Sequence, residues 1–314
     1  MTTARWIDVG AAAALLALAV FASGAAAQQV SPPDIPFAPT EDTSLHDPDN
    51  PTKVFRIDLA RVEHEFPLSR SDLMKITPEN LAASSQEQID QIYGRITAGP
   101  IPDGQYLGNL FFPRGDSMRV RLEEIIGGLP GRLAGQKVEV IENIGRSLWK
   151  GKVISRQQRI LHNMIDDRAL LKGFVDDEST VPTTSVPRSG LLGWILPKEK
   201  VWLLFPAHIY CGQSLLDARR ESVIVDYNYN DDIEGYRKSP DSLAGRGGLR
   251  IRDEIRMVRP GLYLGRAYAN RMLLLNFTLY SADVASREGA AFAGGGLVAE
   301  DCWPGEQQRS SALK

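Results

Sequence analysis

The stretch from Arg246 to Tyr280 constrains this chain more than any other. Pro260-Gly261 and Asn270-Arg271 divide it into three runs of strand length. Each run is dense in β-branched, aromatic and aliphatic residues, and each break carries turn chemistry, so the segment predicts an antiparallel meander. It also carries charge where strands built only for packing would carry none, which makes it the first place to look for a working surface.

The rest of the chain extends this pattern. Asp103 to Phe112, bounded by Pro102 and Pro113, predicts an opening strand, and Trp149 to Ile154 and Arg159 to Ile165 predict a pair. Val201 to Tyr210 is strongly apolar, and Pro206 within it implies a sheet edge or a bulge. Glu221 to Tyr229 is a further strand. Residues 230–248 form a connection longer than a hairpin needs, the kind of segment that covers a mouth. Helix signals sit elsewhere. Thr77-Pro78-Glu79-Asn80 is a helix start with a cap, a first-turn proline and an acid. Ile89, Ile92, Tyr93 and Ile96 then recur at helical spacing. These signals predict a mainly β chain with inserted helices (α+β), in which a curled antiparallel sheet forms a barrel or half-barrel. The expected organisation is an extended, Pro- and Asp-rich leader over 28–68 and a helical segment over 69–99. A β-domain follows over 100–285 with a helical insertion at 117–148, and then a flexible tail over 286–314.

Compartment is read from the N-terminus. Arg5, the apolar run from Gly10 to Ala22 and Ala25-Ala26-Ala27 before Gln28 have the pattern of a secretory signal peptide over 1–27. An uncleaved anchor is the alternative. No other segment approaches membrane-span length, so a periplasmic or secreted protein is expected. The two cysteines, Cys211 and Cys302, fit a disulfide in an oxidising compartment, closing a loop worth about 4 kcal/mol of chain entropy. Two separate thiols remain the other reading. A net charge of −3 argues against a nucleic-acid partner. With four histidines and a lone His208-x-x-Cys211 pair, no metal site and no cofactor are expected.

Side chains alternate along strands, so polar residues that break apolar faces can be picked out. Asp226, Asp253, Arg266 and Asn276 do so. A carboxylate in such a face needs a partner, and Asp226 or Asp253 is expected to meet an arginine. The stripe Arg252, Glu254, Arg256 reads as a solvent-facing charge ladder; turned inward instead, it would bind an anionic headgroup. Tyr227, Tyr263 and Tyr268, with Tyr229 and Tyr280, would supply amphipathic walls. The candidate ligand-binding set is Asp226, Tyr227, Arg252, Asp253, Arg256, Tyr263, Arg266, Tyr268 and Asn276.

Four strings taken together carry a resemblance: Gly104 to Gly108, Trp149 to Val153, Val223 to Tyr227, and Arg252 to Gly265 with its Pro-Gly-Leu-Tyr-Leu-Gly end. Over residues 100–280 the chain resembles a group of exported bacterial proteins with lipocalin-like β-barrels, with Tyr106 where lipocalins carry Trp. The resemblance implies a barrel that holds a small apolar or amphipathic molecule; it implies no catalytic residue. The leading expectation is therefore a non-enzymatic binding protein with a cavity of a few hundred Å3, typical of ligand sites. Two alternatives stand beside it. One is an isomerase or hydrolase of lipid-like substrates, using Asp253 with Arg252, Arg256 or Arg266. The other is an envelope interaction protein with a filled barrel and an undefined protein partner.

Overall fold

A computed structural model describes residues 30–39, 57–111, 149–166, 171, 175–187 and 197–305. The expected signal peptide at 1–27 and the expected helical insertion at 117–148 lie outside the described residues. The strands are β1 (Gly104–Phe111), β2 (Trp149–Ser155), β3 (Ile160–Ile165), β4 (Thr183–Val186), β5 (Glu199–Gln213), β6 (Glu221–Asp226), β7 (Ile251–Arg259), β8 (Leu262–Ala269) and β9 (Met272–Tyr280). They pair antiparallel in the order β3-β2-β1-β9-β8-β7-β6-β5, and β3 also pairs with β5. That last pairing closes an eight-stranded barrel in which sequence neighbours are spatial neighbours, the up-and-down arrangement that removes free sheet edges. β4 stands outside the ring, against the first half of β5.

The predicted meander is β7, β8 and β9, turning at Pro260-Gly261 and Asn270-Arg271. Pro206 sits at a bulge, not an edge: Phe205 has φ 53° and the β3–β5 register jumps there. The bulge removes the ladder position that proline could not fill. β6 stops at Asp226, whose side chain accepts from the Asn228 amide and caps a 3-10 turn over Tyr227–Asp232. β4 lies within residues 176–190, whose Thr, Ser, Pro and Asp content reads as a loop, because its four residues are too few to show alternation.

Four short helices, α1 (Leu59–Glu65), α2 (Arg70–Lys75), α3 (Pro78–Ala82) and α4 (Gln86–Arg95), precede the barrel. Thr77 caps α3 and Ser85 caps α4, each in a reciprocal capping box. The leader was expected to be extended through residue 68, yet α1 forms within it; Asp58 caps the helix and Leu59 and Val62 bury. α4 lies on the outer face of β7 and β8, where Ile89, Ile92 and Tyr93 pack with Val258, Leu262 and Leu264.

This packing overturns the expected solvent ladder. Glu254 and Arg256 are both fully buried, at 0% exposure, on that outer face. Arg256 donates from Nε to Ser222 Oγ (2.9 Å), from Nη1 to Tyr93 O (2.9 Å) and Asp217 Oδ2 (3.1 Å), and from Nη2 to Asp217 O (3.1 Å) and Arg220 O (3.0 Å). Its plane lies 4.7 Å from the Tyr93 ring centroid. The guanidinium thus ties α4 and the β5–β6 turn to the barrel wall. A charged stripe on a strand reads as solvated only when nothing covers it; here α4 covers it, and the β5–β6 turn supplies most of the acceptors for Arg256.

The C-terminal segment is also more ordered than expected. α5 (Ala282–Ala293) extends the meander as a helix capped by Ser281. Beyond it, Glu300 accepts from Thr97 Oγ1 (2.5 Å) and the Gly99 amide (2.9 Å), and Asp301 from the Ile101 amide (2.7 Å). Cys302 bonds to Cys211 across a separation of 91 residues. The expected flexible tail is therefore pinned at several points through residue 303. Replacing both cysteines by serine is expected to lower stability by about 2–4 kcal/mol, the usual range for a native bridge closing a long loop. Urea unfolding of the oxidised wild type against the double variant measures this; equal midpoints would refute it.

Candidate functional site

The barrel interior has a lower and an upper end. The lower end, near Gly104, Gln213 and Tyr280, faces α5 and the C-terminal segment. A cleft of ≈ 430 Å3 lies there, lined in part by Tyr106, Met257, Tyr263, Val284 and Val298. Tyr263 donates to Pro100 O at 2.6 Å. Arg156 and Arg287 on its rim are substantially exposed and already ion-paired with Asp301 and Asp283. This is a solvated junction between helix and barrel.

The upper end is different. There a cavity of ≈ 160 Å3 is lined by Leu110, Trp149, Ile165, Phe205, Ile251, Leu275 and Phe277, with Leu243, Ala244 and Leu249 contributed by the β6–β7 connection. That connection thus covers the mouth, as its length suggested. It is anchored where Asp241 accepts from the Phe205 amide at the β5 bulge (3.2 Å) and Asn230 Nδ2 donates to Asp241 O (2.8 Å). The volume falls short of the few hundred Å3 expected, because aromatic side chains fill much of the bore. Two glycines make that filling possible. A Cβ at Gly108 would meet the Trp149 ring at 2.1 Å, and one at Gly265 would meet the Phe277 ring at 2.2 Å. The two rings meet edge to face, 5.7 Å between centroids.

Four polar side chains converge on the cavity wall: Lys152 from β2, Asn163 from β3, Tyr227 after β6 and Asp253 from β7. Lys152 Nζ donates to Tyr227 Oη (2.7 Å), Asn163 Oδ1 (2.9 Å) and Asp253 Oδ2 (3.0 Å). These use all three ammonium protons. Asn163 Nδ2 donates to Tyr227 Oη (2.9 Å) and Phe205 O (3.2 Å), and Trp149 Nε1 donates to Asn163 Oδ1 (2.9 Å). Tyr227 Oη donates to Asp253 Oδ2 at 3.3 Å. The ammonium also lies 5.4–5.5 Å from the ring centroids of Trp149, Tyr227 and Phe277, an aromatic box around a cation.

Lys152 and Asp253 are 2% and 4% exposed, so this is a desolvated ion pair. Burial by itself favours the neutral amine. The Asp253 carboxylate and the Tyr227 phenol outweigh it and hold Lys152 above its ordinary value. The phenol of Tyr227 is pushed up to about 12, by burial first and by Asp253 second, with Lys152 opposing. The site therefore holds an ammonium and a neutral phenol. It offers no free amine for nucleophilic or base chemistry.

Of the sequence-predicted set, Tyr227 and Asp253 come together here. Asp226 or Asp253 was expected to meet an arginine; Asp253 meets Lys152 instead, because Arg252, Arg256 and Arg266 project from the opposite face of the barrel wall. Tyr263 faces inward at the lower cleft. Asp226 lies outside, accepting from Tyr210 Oη (2.7 Å). Arg252 reaches Glu254 and Gln213 O, and Arg266 reaches Asp90 of α4 and Tyr268 Oη (2.8 Å). Asn276 donates to Gln86 Oε1 of α4 (2.8 Å). Lys152, Asn163, Trp149 and Phe277 were missed. The available signal was Gly151 inside a strand, which marks a bulge. Gly151 has φ 127° and the β2–β3 register shifts between Trp149 and Gly151. That extra residue brings Trp149 and Lys152 onto one face.

No family model, no curated protein and no solved structure matches this chain. The fold is nevertheless a mainly β, closed eight-stranded antiparallel barrel with short helices, compatible with a lipocalin-like architecture. No described helix is long and apolar enough to cross a membrane.

Proposed function

We propose that this is an exported, non-enzymatic binding protein that holds a small, mostly apolar ligand at the upper end of its barrel. The observation that carries the reading is the cavity of ≈ 160 Å3 whose apolar lining surrounds a convergent cluster of buried polar groups. Ligand sites have this composition: broad apolar contact with a few polar groups that fix orientation. The volume is close to that of engineered apolar cavities of about 150 Å3 that take up benzene, so the ligand is of single-ring size. Export is supported by the Cys211–Cys302 disulfide together with the apolar N-terminal run before Ala25-Ala26-Ala27.

The test is a titration of the oxidised protein with benzene, followed by methyl resonances of Leu110, Ile251 and Leu275. Saturable shifts confined to these positions are expected, and Leu275→Trp, which fills the space, should abolish them. Native mass spectrometry of protein purified from the exported fraction supplies the second readout. No saturable shift and no retained small molecule would sink the reading.

A further inference from the structure

One acceptor in the polar cluster is unused. Asp253 Oδ2 accepts from both Lys152 and Tyr227. Among the described residues, Oδ1 of the same carboxylate accepts no hydrogen bond, although the residue is 96% buried and lines the cavity. Every neighbour is saturated in the direction that matters. The Lys152 protons are all committed, Asn163 Oδ1 already accepts twice, and Tyr227 Oη accepts twice and donates once. An anionic acceptor left unpaired in a cavity of this kind is costly, and a donor that enters gains a charge-assisted bond.

We infer that the ligand is neutral and carries one O–H or N–H donor on a ring-sized apolar body, the donor going to Asp253 Oδ1 and the body lying against Trp149, Leu275 and Phe277. This rests on the binding reading above and deepens it. Lys152 and Asp253 are the two charged residues of the lining and they cancel. A carboxylate ligand would face Asp253 and find no free proton on Lys152. An ammonium ligand would sit beside the Lys152 ammonium. A neutral donor meets neither penalty.

The experiment compares phenol, toluene, benzoate and benzylamine by titration calorimetry on the full oxidised chain. Phenol and toluene have equal numbers of heavy atoms and differ in the donor. Phenol is expected to bind roughly tenfold or more tightly than toluene, with benzoate and benzylamine weaker than phenol. The Lys152→Met/Asp253→Leu double variant removes both charges together and so leaves neither unpaired; in it the phenol-to-toluene ratio should fall to near one. Toluene binding as tightly as phenol to the wild type overturns the inference while the binding reading stands, as does tightest binding of either charged probe. If no probe binds, the binding reading fails first and this inference with it.

Discussion

Lys152→Met is expected to cost the fold about 3–5 kcal/mol, the range seen when one member of a buried pair is removed and the other charge stays. Asp253, 4% exposed, would keep only the Tyr227 phenol as a donor. The Lys152→Met/Asp253→Leu variant should recover most of that loss, since no charge is then stranded. The pair also sets an alkaline limit. The Lys152 pKa in the folded protein is raised above the ordinary 10.5. Its contribution is therefore complete below the unfolded-state value and disappears as pH rises through the folded-state value. The stability gap between wild type and double variant should be constant from neutral pH to about 10 and narrow only above that. Urea unfolding at several pH values measures both effects. A loss under about 1 kcal/mol for Lys152→Met, the range of exposed pairs, would mean that water reaches the site.

Arg256→Met is the second large effect, again about 3–5 kcal/mol. It removes the guanidinium donor to the Tyr93, Asp217 and Arg220 carbonyls under α4, leaves Asp217 Oδ2 with Arg219 alone, and leaves Ser222 Oγ with the Tyr93 hydroxyl alone. Asp217 shows how strongly the cluster is balanced. Burial pushes its carboxyl up, but Arg219 and Arg256 more than compensate and hold it below its ordinary value. That part of the stability is present above the ordinary carboxylate range and is lost as pH falls through the folded-state value. The loss in Arg256→Met should appear first in α4, as faster amide exchange at Ile92 and Tyr93, before the barrel amides open. Unchanged exchange in α4 would show that Arg256 does not hold it.

The meander was legible because its turns are punctuated and its runs have strand length, information local to each few residues. The helix start at Thr77 was legible for the same reason: a cap is a contact over three residues. The disulfide needed only the compartment and a count of two. The site was only half legible. Asp253 stands out as a polar break in a packable face and Tyr227 as a candidate amphipathic wall, and both reach the cavity. Lys152 does not, because strict alternation places Trp149 and Lys152 on opposite faces, and one extra residue at Gly151 reverses that. Asn163 sits in an apolar strand whose inward face depends on closure with β5.

Sequence by itself determined the three strands of the meander, their turns, the cap at Thr77 and which positions carry charge, since each is fixed by neighbours along the chain. Which face of each strand points inward was decided only when β3 met β5 and closed the barrel. The consequences were large. Closure and the bulge at Gly151 brought Lys152 to Asp253, whose positions lie 101 residues apart. The covering by α4 turned Arg256 from an apparent surface charge into a buried clamp. A charge on a strand costs nothing in water and several kcal/mol without a partner inside, so its role follows from what covers it.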